Sequence, residues 1–335
     1  MKPTKGLWLH LGLFGVAATV AMVSARTKDD PSEGRRVEAE LWSGQPDQIE
    51  AIQLASDEQI VKLVPAKDAQ GRYAIVEVTR LKSASEDTKG KLADAKDKPA
   101  NAKPEEPKRF VSVDAVEALL PALAPAKSYR TLGKLETARL VDYGLDKPES
   151  NLLVKIAGVE HRLDVGALTP GSGDYYVRDP ATGIVNTLAA ETLNRLKYGE
   201  SRLLERDLHG FKADDEQVVT VSSGGKSRVL KRVEGKSAWA NPETPTVQDE
   251  TAGNWLLKVQ RIKPMNYVEK PGNLGTVLIR VDYSDAKSKL GYVELYRSTG
   301  SEQKYYAKSE RSRWIVEVSK SVAEPIDQDL GSVLK

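Results

Sequence analysis

The sequence contains no cysteine, which excludes disulfide bonds, thiolate nucleophiles and zinc sites built on cysteine. Histidine is scarce as well, and only His161 and His209 lie beyond the apolar N-terminal segment. The three phenylalanines are outnumbered by twelve tyrosines and five tryptophans. Because these aromatic side chains carry a polar group, they suit half-buried sheet faces and interfaces better than a dry core. The composition thus offers few residues for nucleophilic or metal chemistry.

Neither sign of charge is in excess, since 50 Lys and Arg stand against 48 Asp and Glu, a net charge of +2. A nucleic-acid-binding protein would need a clustered positive field, so we expect no nucleic-acid partner. The charged fraction of 29% and the hydrophobic fraction of 40% are ordinary for a globular protein. A chain of 335 residues is long enough for about two domains.

The one long apolar run, Leu7 to Val23, follows Lys2 and Lys5. Its 17 residues are at the lower limit for a helix that spans a bilayer. Lysines before such a run favour keeping that end in the cytoplasm, so the rest of the chain would be exported. We predict that residues 1–25 are a membrane anchor. The alternative is a signal peptide cleaved after Ala25, because small residues precede that position.

After a polar stalk at residues 26–36, one pattern recurs four times. Two short alternating strands lead to an aromatic residue that opens a third strand, and a helix-like stretch follows. The four aromatic residues are Tyr73, Tyr176, Trp239 and Trp314. This pattern predicts an α+β fold of repeated small antiparallel β-sheet units, each followed by a helix, behind an N-terminal transmembrane helix. Such repeats are more typical of scaffolds and binding surfaces than of enzymes.

The four units divide into two lobes. We assign residues 37–208 to a first lobe with two units and residues 209–335 to a second lobe with two more. Residues 82–109 are rich in Ala, Lys, Pro and acids and contain one leucine, so they cannot bury enough apolar surface to order themselves. They are predicted to be a disordered insertion within the first lobe, acting as a solvated spacer.

Helix starts are predicted from capping residues. Asp114 with Glu117 makes a plausible capping box before an apolar stripe. Thr187 and Thr251 are candidate N-caps of the next two helices. The last helix is predicted to be only a stub around residues 327–334.

Few residues suggest chemistry. His209 lies in RDLHGFKADDE, near four acidic residues: Asp207, Asp214, Asp215 and Glu216. Their spacing lacks the alternating ligands and the closing Glu of a calcium loop, so we interpret the segment as a polar turn. His161 is predicted to face solvent from a hairpin strand.

Two glycine-containing segments also fail as functional motifs. Residues 222–226 (SSGGK) lack the order of a phosphate-binding loop, and Gly224-Gly225 is predicted to be the turn of a β-hairpin instead. Residues 171–174 lack the order of a nucleophile elbow. In the pairs Tyr175–Tyr176 and Tyr305–Tyr306, alternation should expose one member of each. The sequence therefore predicts no catalytic, cofactor-binding or metal-binding residue, and no cofactor.

The segment Tyr143-Gly144-Leu145-Asp146-Lys147-Pro148, followed by an alternating strand, resembles the GLDKP signature of a bacterial domain of unknown function, family 4340. The N-terminal apolar run and the later stretch Leu204–Leu208 agree with that resemblance. Members are commonly membrane-anchored proteins associated with ABC-type export permeases and gliding-motility-like transporter subunits. The resemblance implies a periplasmic accessory subunit, and it supplies no catalytic residues.

These observations leave three possible functions. We expect a non-enzymatic, single-pass protein of the bacterial inner membrane, with its C-terminal bulk in the periplasm, that acts as an interaction scaffold for protein partners in an ABC-type transporter complex. An exported module that binds glycan or peptidoglycan through exposed Tyr and Trp is the first alternative. A hydrolase that uses Asp and Glu is the second, and it would require a pair of buried carboxylates facing a cleft.

Overall fold

The computed structural model describes residues 39–81 and 105–335. The chain there is mostly antiparallel β-sheet with a few helices, which confirms an α+β fold at this coarser level. The first-lobe strands are β1 (Ala39–Trp42), β2 (Ile49–Ser56), β3 (Gln59–Asp68), β4 (Gly71–Arg80), β5 (Lys108–Ser112), β6 (Ala126–Ser128), β7 (Thr131–Lys134), β8 (Ser150–Ile156), β9 (Val159–Leu168), β10 (Tyr175–Arg178) and β11 (Ile184–Leu188). Nine of them form one sheet in the order β5-β4-β3-β2-β8-β9-β10-β11-β7, and β1 pairs with β6.

A second sheet holds the remaining eight strands. They are β12 (Val218–Ser223), β13 (Lys226–Arg232), β14 (Trp239–Ala240), β15 (Pro264–Val268), β16 (Leu274–Ser284), β17 (Lys289–Ser298), β18 (Tyr305–Ser309) and β19 (Ile315–Val318). Their order is β14-β13-β12-β16-β17-β18-β19-β15. The helices are α1 (Asp114–Leu123), α2 (Ala190–Lys197), α3 (Gly199–Leu203), α4 (Glu250–Gln260) and α5 (Lys320–Val333).

The strand units predicted from the sequence are not separate small sheets. In each lobe two meanders join side by side through their first strands, β2 with β8 and β12 with β16. A small sheet would leave the backbone N–H and C=O groups of those strands unpaired at an open edge. Pairing satisfies them, and it turns the predicted small sheets into halves of a nine-stranded and an eight-stranded sheet.

One core lies between each sheet and its helices. In the first lobe, α1 buries the apolar stripe predicted from its periodicity, Val116, Leu119, Leu120 and Leu123. In the second lobe, Trp255 of α4 and Ile326 of α5 are both 1% exposed, and the Trp255 indole donates a 2.9 Å hydrogen bond to the Ile326 carbonyl. Full burial of an aliphatic side chain such as that of Ile326 contributes about 1.5–3 kcal/mol to the free energy of folding.

All three predicted helix caps are wrong. Thr187 lies two residues before Ala189, the cap of α2. Asp114 is the first residue of α1, and Val113 precedes it as the cap without a side-chain hydrogen bond. The cap of α4 is Asp249, whose carboxylate accepts a hydrogen bond of 2.9 Å from the backbone N–H of Ala252. Thr251 lies inside that helix.

The observed bounds of α2 and α5 also differ from the predicted ones. Thr187 and Leu188 lie in β11, a strand that the sequence analysis missed. The last helix is not a stub, since α5 has 14 residues and includes Pro325. Its buried face packs on the second sheet, and this tertiary burial outweighs the hydrogen bond that proline removes. The predicted Gly224-Gly225 hairpin turn is confirmed, with φ values of 55° and 81°.

The predicted anchor at residues 1–25 and the stalk at 26–36 lie outside the described residues, as do residues 82–104 of the predicted insertion. Lys108 and Arg109, which the prediction placed in that insertion, belong to β5. Within residues 39–81 and 105–335, none of the helices has the length and apolar character needed to cross a bilayer.

The Gly-Leu-Asp-Lys-Pro motif forms a turn, as its residues predict. It ends a 3-10 helix, Thr137–Tyr143, with Gly144 in the left-handed region at φ 66°. The N–H of Leu145 donates to the Leu140 carbonyl at 2.9 Å, a bond typical of a helix that ends on glycine. A Cβ at Gly144 would come within 2.9 Å of the backbone nitrogen of Ala167 in β9, so the turn packs closely on the sheet.

Candidate functional site

Buried charged and polar groups gather where the two lobes meet. We call residues 204–211 the linker, because they connect α3 to the second lobe, and residues 309–314 the turn, because they connect β18 to β19. Of the buried polar residues, four lie in these two segments: Glu205, Ser309, Arg311 and Ser312. Linker and turn together form the lobe junction.

The two sheets approach each other at the junction through one edge strand from each, β5 and β15. Arg109 of β5 forms an ion pair with Glu269, directly after β15. The rings of Phe110 and Tyr267 lie 6.5 Å apart between their centroids. The Arg109 guanidinium also lies 5.6 Å from the Trp314 ring centroid. Each edge therefore shields the other from solvent without a shared hydrogen-bond ladder.

An ion pair between linker and turn stands at the centre of the junction. The Arg311 guanidinium lies 3.0 Å from a carboxylate oxygen of Glu205, and the two residues are 9% and 7% exposed. Asp114 of α1 provides a second carboxylate for Arg311. The Tyr267 hydroxyl donates to the Glu205 carbonyl at 3.2 Å. Buried charges are costly unless paired, so each partner depends strongly on the other.

The turn reaches the first lobe a second time through Arg313. Its guanidinium donates two hydrogen bonds to the Asp68 carboxylate, at 3.1 and 3.3 Å, and lies 4.9 Å from the centroid of the Tyr73 ring. Burial alone would raise the pKa of Asp68, but hydrogen bonds from Arg313 and from the backbone of Gln70 hold it below the usual value. Arg313 has φ 55°, an uncommon conformation for a residue with a side chain.

His209 lies in the loop that leads into β12, and its side chain is half-buried. Its Nδ1 lies 3.0 Å from a carboxylate oxygen of Glu310, and its ring centroid is 4.7 Å from that of Phe211 and 4.9 Å from that of Tyr283. The other oxygen of Glu310 accepts a 2.8 Å hydrogen bond from the backbone N–H of Tyr292. These contacts fix the linker onto the second sheet.

Glu216 is the most perturbed carboxylate near the linker. Only 3% of the residue is exposed, and burial raises its pKa to about 7. The Gln260 side-chain amide donates to both carboxylate oxygens, at 3.0 and 3.2 Å. Glu216 also lines a cavity of about 310 Å³, whose wall includes Leu208, Phe211 and Ile262.

The other acidic residues near His209 do not converge on it. Asp207 pairs with Lys263, and the Asp215 carboxylate accepts a hydrogen bond from the backbone N–H of Lys212. Asp214 is exposed on the 3-10 helix Ala213–Asp215. In the described ranges 39–81 and 105–335, no group of three or more possible metal ligands is brought together.

His161 is not simply solvent-facing. Its ring stacks on Trp42, with the centroids 5.0 Å apart and the planes 16° from parallel. The Trp42 indole in turn donates a 2.7 Å hydrogen bond to the Leu123 carbonyl. Burial lowers the pKa of His161, although Asp179 acts in the opposite direction. The residue therefore helps to pack β1 against the first sheet.

The remaining segments singled out in the sequence lie in a hairpin, a loop and two strands. Residues 222–226 are a hairpin, and residues 171–174 form the loop before β10. Tyr175 and Tyr176 are both buried, so the expected exposed member is absent from that pair. Tyr176 is covered by Tyr143, whose ring meets it edge-on. Tyr305 is buried and Tyr306 half-buried.

Sequence reasoning missed the turn at 309–314. Its only signal was a dense run of charge, SERSR, between two apolar strands. Glu205 and Arg311 are 106 residues apart, and nothing local in either segment indicates the other. A buried charge pair of this kind becomes visible only when the lobes are assembled.

Comparison with known protein families gives one match. The model of the family described as Domain of unknown function (DUF4340) matches residues 110–277, which include the Gly-Leu-Asp-Lys-Pro turn, the linker and the wall of the Glu216 cavity. No curated protein and no solved structure matches the chain.

Proposed function

This chain belongs to the DUF4340 family, and from that membership we propose that it is a non-enzymatic accessory subunit of an ABC-type transporter complex. In this proposal the chain is anchored in the bacterial inner membrane by residues 1–25, and its lobes lie in the periplasm as a scaffold for protein partners. The motivation for the anchor is the apolar run that follows Lys2 and Lys5.

The observation that carries the proposal is the lobe junction. Two wide sheets built from repeated meanders are braced edge to edge by Glu205, Arg311 and Arg313. Enzymes of two lobes commonly place their chemistry in the crevice between them. Here the charged groups at that position pair with one another across the lobes. The arrangement favours a fixed platform over a reacting cleft.

We propose the outer face of the first sheet, opposite the helices, as the docking surface for the membrane partner. Alternation places Ile60, Val64, Ile75 and Leu153 on this face, half-buried except for Val64, which is 52% exposed. Val64 and Ile75 are direct cross-strand neighbours. Because Lys62 and Glu77 lie among them, the face has the mixed apolar and charged character of a protein interface.

A photo-reactive amino acid at position 64 in the full chain, irradiated in intact membranes, tests the proposal. We expect a crosslinked partner that is a membrane subunit of a transporter, and we expect Val64→Lys to reduce its co-purification at least tenfold. Val229→Lys is the matched control, since Val229 is 40% exposed on the second sheet. If neither the crosslink from position 64 nor the co-purification recovers a membrane protein, the proposal is contradicted.

One observation favours the glycan-binding alternative. Tyr292 and Tyr296 project with Glu294 from one face of β17, and Tyr306 is the cross-strand partner of Tyr296. The Arg280 guanidinium lies 4.4 Å from the centroid of the Tyr292 ring. Half-exposed tyrosines on a flat sheet can stack on sugar rings. Retention of the native chain, but not of Tyr296→Ala, on purified peptidoglycan would favour this alternative.

The hydrolase alternative needs two carboxylates that face one cleft. Glu216 lines the cavity beside the linker, whereas Glu310 is engaged by His209 and by the backbone of Tyr292. The geometry therefore supports the hydrolase least of the three functions.

A further inference from the structure

The cavity beside the linker combines an apolar wall with one buried acid. Its volume of about 310 Å³ lies at the lower end of the range for small-molecule sites. The apolar part of the wall comes from three regions: the linker, the 3-10 helix Ala213–Asp215, and the end of α4 with the segment after it. It consists of Leu208, Phe211, Ala213, Val259 and Ile262.

The carboxylate of Glu216 has capacity for another donor. A carboxylate offers about four lone-pair positions, and the side-chain donor on Glu216 is the single amide nitrogen of Gln260. Arg232 lies close by, but its hydrogen bond goes to the backbone carbonyl of Glu216 and not to the carboxylate. A buried acid without a cationic partner at hydrogen-bond distance favours a ligand that brings one.

A second buried group near this acid is also incompletely satisfied. The Tyr283 hydroxyl is buried and makes no hydrogen bond within the described residues. Its ring packs on His209 and Phe211, at centroid distances of 4.9 and 5.4 Å. Both burial and the nearby charges of Glu216 and Glu310 raise its pKa, so the phenol is neutral. Tyr283 does not line the cavity itself, but its neutral ring packs behind His209 and Phe211, which do.

We propose that this cavity is a binding site for a small organic amine, whose ammonium group pairs with Glu216 while its apolar part lies against Phe211, Val259 and Ile262. The site is independent of the proposed transporter role, because it requires no partner protein. It lies beside the linker, so an occupied cavity would also stiffen the contact between linker and second sheet.

The charges around the cavity exclude two other ligand classes. An anionic ligand would meet Glu216 and Asp207, and the one lysine in the wall, Lys263, is already paired with Asp207. A divalent cation would need several oxygen ligands, and Glu216 is the one buried carboxylate in this wall. An amine needs one acid and an apolar surface, which are present.

Calorimetric titration of the purified full chain with phenethylamine at pH 8 tests the inference, because an apolar ring and a single ammonium group represent the proposed ligand. The neutral analogue 2-phenylethanol has the same carbon skeleton and serves as the ligand control. We expect the amine to bind at least tenfold more tightly than the alcohol, since a charged hydrogen bond in a buried site is worth about a factor of ten or more.

Two variants localise the binding. Glu216→Gln should reduce the affinity for the amine about tenfold or more and leave the weak affinity for the alcohol unchanged. Ala213→Leu should abolish binding by filling the cavity, and it should fold normally because Ala213 is exposed. Glu243→Gln, an exposed acid of the same lobe, is the matched control and should bind like the native chain.

Equal binding of amine and alcohol, or amine binding that survives Ala213→Leu, would overturn the inference. If Glu216→Gln fails to fold, Ala213→Leu with the two ligands still decides the location and the chemistry. The transporter proposal would survive either negative result, because its own test depends on position 64.

Discussion

The two lobes share a plan and differ in what they bury at its centre. Each sheet joins two meanders through their first strands, and each is covered on one face by helices. The first lobe buries small neutral polar residues, namely Ser112, Ser128, Ser150, Asn186, Thr187 and Thr192. The linker and the second lobe bury ionisable groups, Glu205, Glu216 and Arg311. Two lobes of common architecture thus differ in the charge that they bury.

The meander fold itself does not need buried charged side chains. The first lobe builds the larger sheet and folds its helices onto it with neutral residues alone in its interior. We infer that the buried charged groups of the linker and the second lobe serve the contact between the lobes or a ligand. Substitutions that remove them should separate these roles from folding itself.

The largest expected effect is at the centre of the junction. Arg311→Met retains the apolar stem of the side chain but leaves the Glu205 carboxylate buried without its cationic partner. We expect a loss of about 3–5 kcal/mol in the free energy of unfolding, measured by urea denaturation. Arg109→Met removes an exposed ion pair of the same junction and should cost at most about 1 kcal/mol. Equal effects of the two substitutions would contradict the central position of Arg311.

The next effect depends on pH and concerns Glu216. Burial raises its pKa from 4.5 to about 7, so its contribution to stability is present at pH 4 and is lost as the pH rises through 7. Glu216→Gln should remove this loss and stabilise the protein by about 1–3 kcal/mol at pH 8, with little effect at pH 4. Thermal or urea unfolding at both pH values measures the difference.

The neighbours of Glu216 set the size of that effect. Arg232 and Gln260 favour the charged form, whereas Asp214 and Asp215 oppose it. Glu243→Gln is the matched control and should change stability equally at both pH values. A destabilised Glu216→Gln protein at pH 8 would show that the carboxylate is ionised and paired in the fold.

A smaller effect is expected in the first lobe at the family signature. Gly144→Ala places a side chain at φ 66° and against the backbone of Ala167, which should cost about 1–2 kcal/mol. Gly158→Ala is the control, since Gly158 has φ 82° but no atom within 4 Å of an added Cβ. Unfolding measurements should place Gly144→Ala as the more destabilised variant. The reverse order would show that the close contact with β9 relaxes freely.

The smallest effect is at the rim of the junction. Asp68 has a lowered pKa, so its pairing with Arg313 contributes stability at pH 7 that is lost as the pH falls below its unfolded value near 4. Because the side chain is partly exposed, Asp68→Asn should cost about 0.5 kcal/mol at pH 7 and less at pH 3. Asp57→Asn, at an exposed position in the same lobe, should cost nothing at either pH.

Local features of the fold were predictable from the sequence. The buried stripe of α1 follows from its spacing, and the Gly224-Gly225 hairpin follows from residues that tolerate positive φ. The features that were missed depend on tertiary context. The last helix was predicted as a stub around residues 327–334, yet α5 begins at Lys320 and continues through Pro325 because its buried face packs on the second sheet. The pairing of β2 with β8 joins segments about 100 residues apart, and no local signal selects it.

The candidate site was less predictable than the fold. The sequence pointed to His209 and Glu216, but their partners Glu310 and Gln260 lie in other elements. Arg311 carried no signal, since an arginine in a charged turn is ordinarily exposed. Burial of such a residue is a property of two assembled lobes and not of its own segment.

The linker and the turn hold the two sheets edge to edge, with β5 beside β15. Hydrogen–deuterium exchange on the native chain and on Arg311→Met measures it directly, by comparing the junction edges β5 and β15 with the outer edges β7 and β14. We expect slower exchange at β5 and β15 than at β7 and β14 in the native chain, and a selective loss of that protection in the variant. Equal exchange at all four edges of the native chain would contradict it.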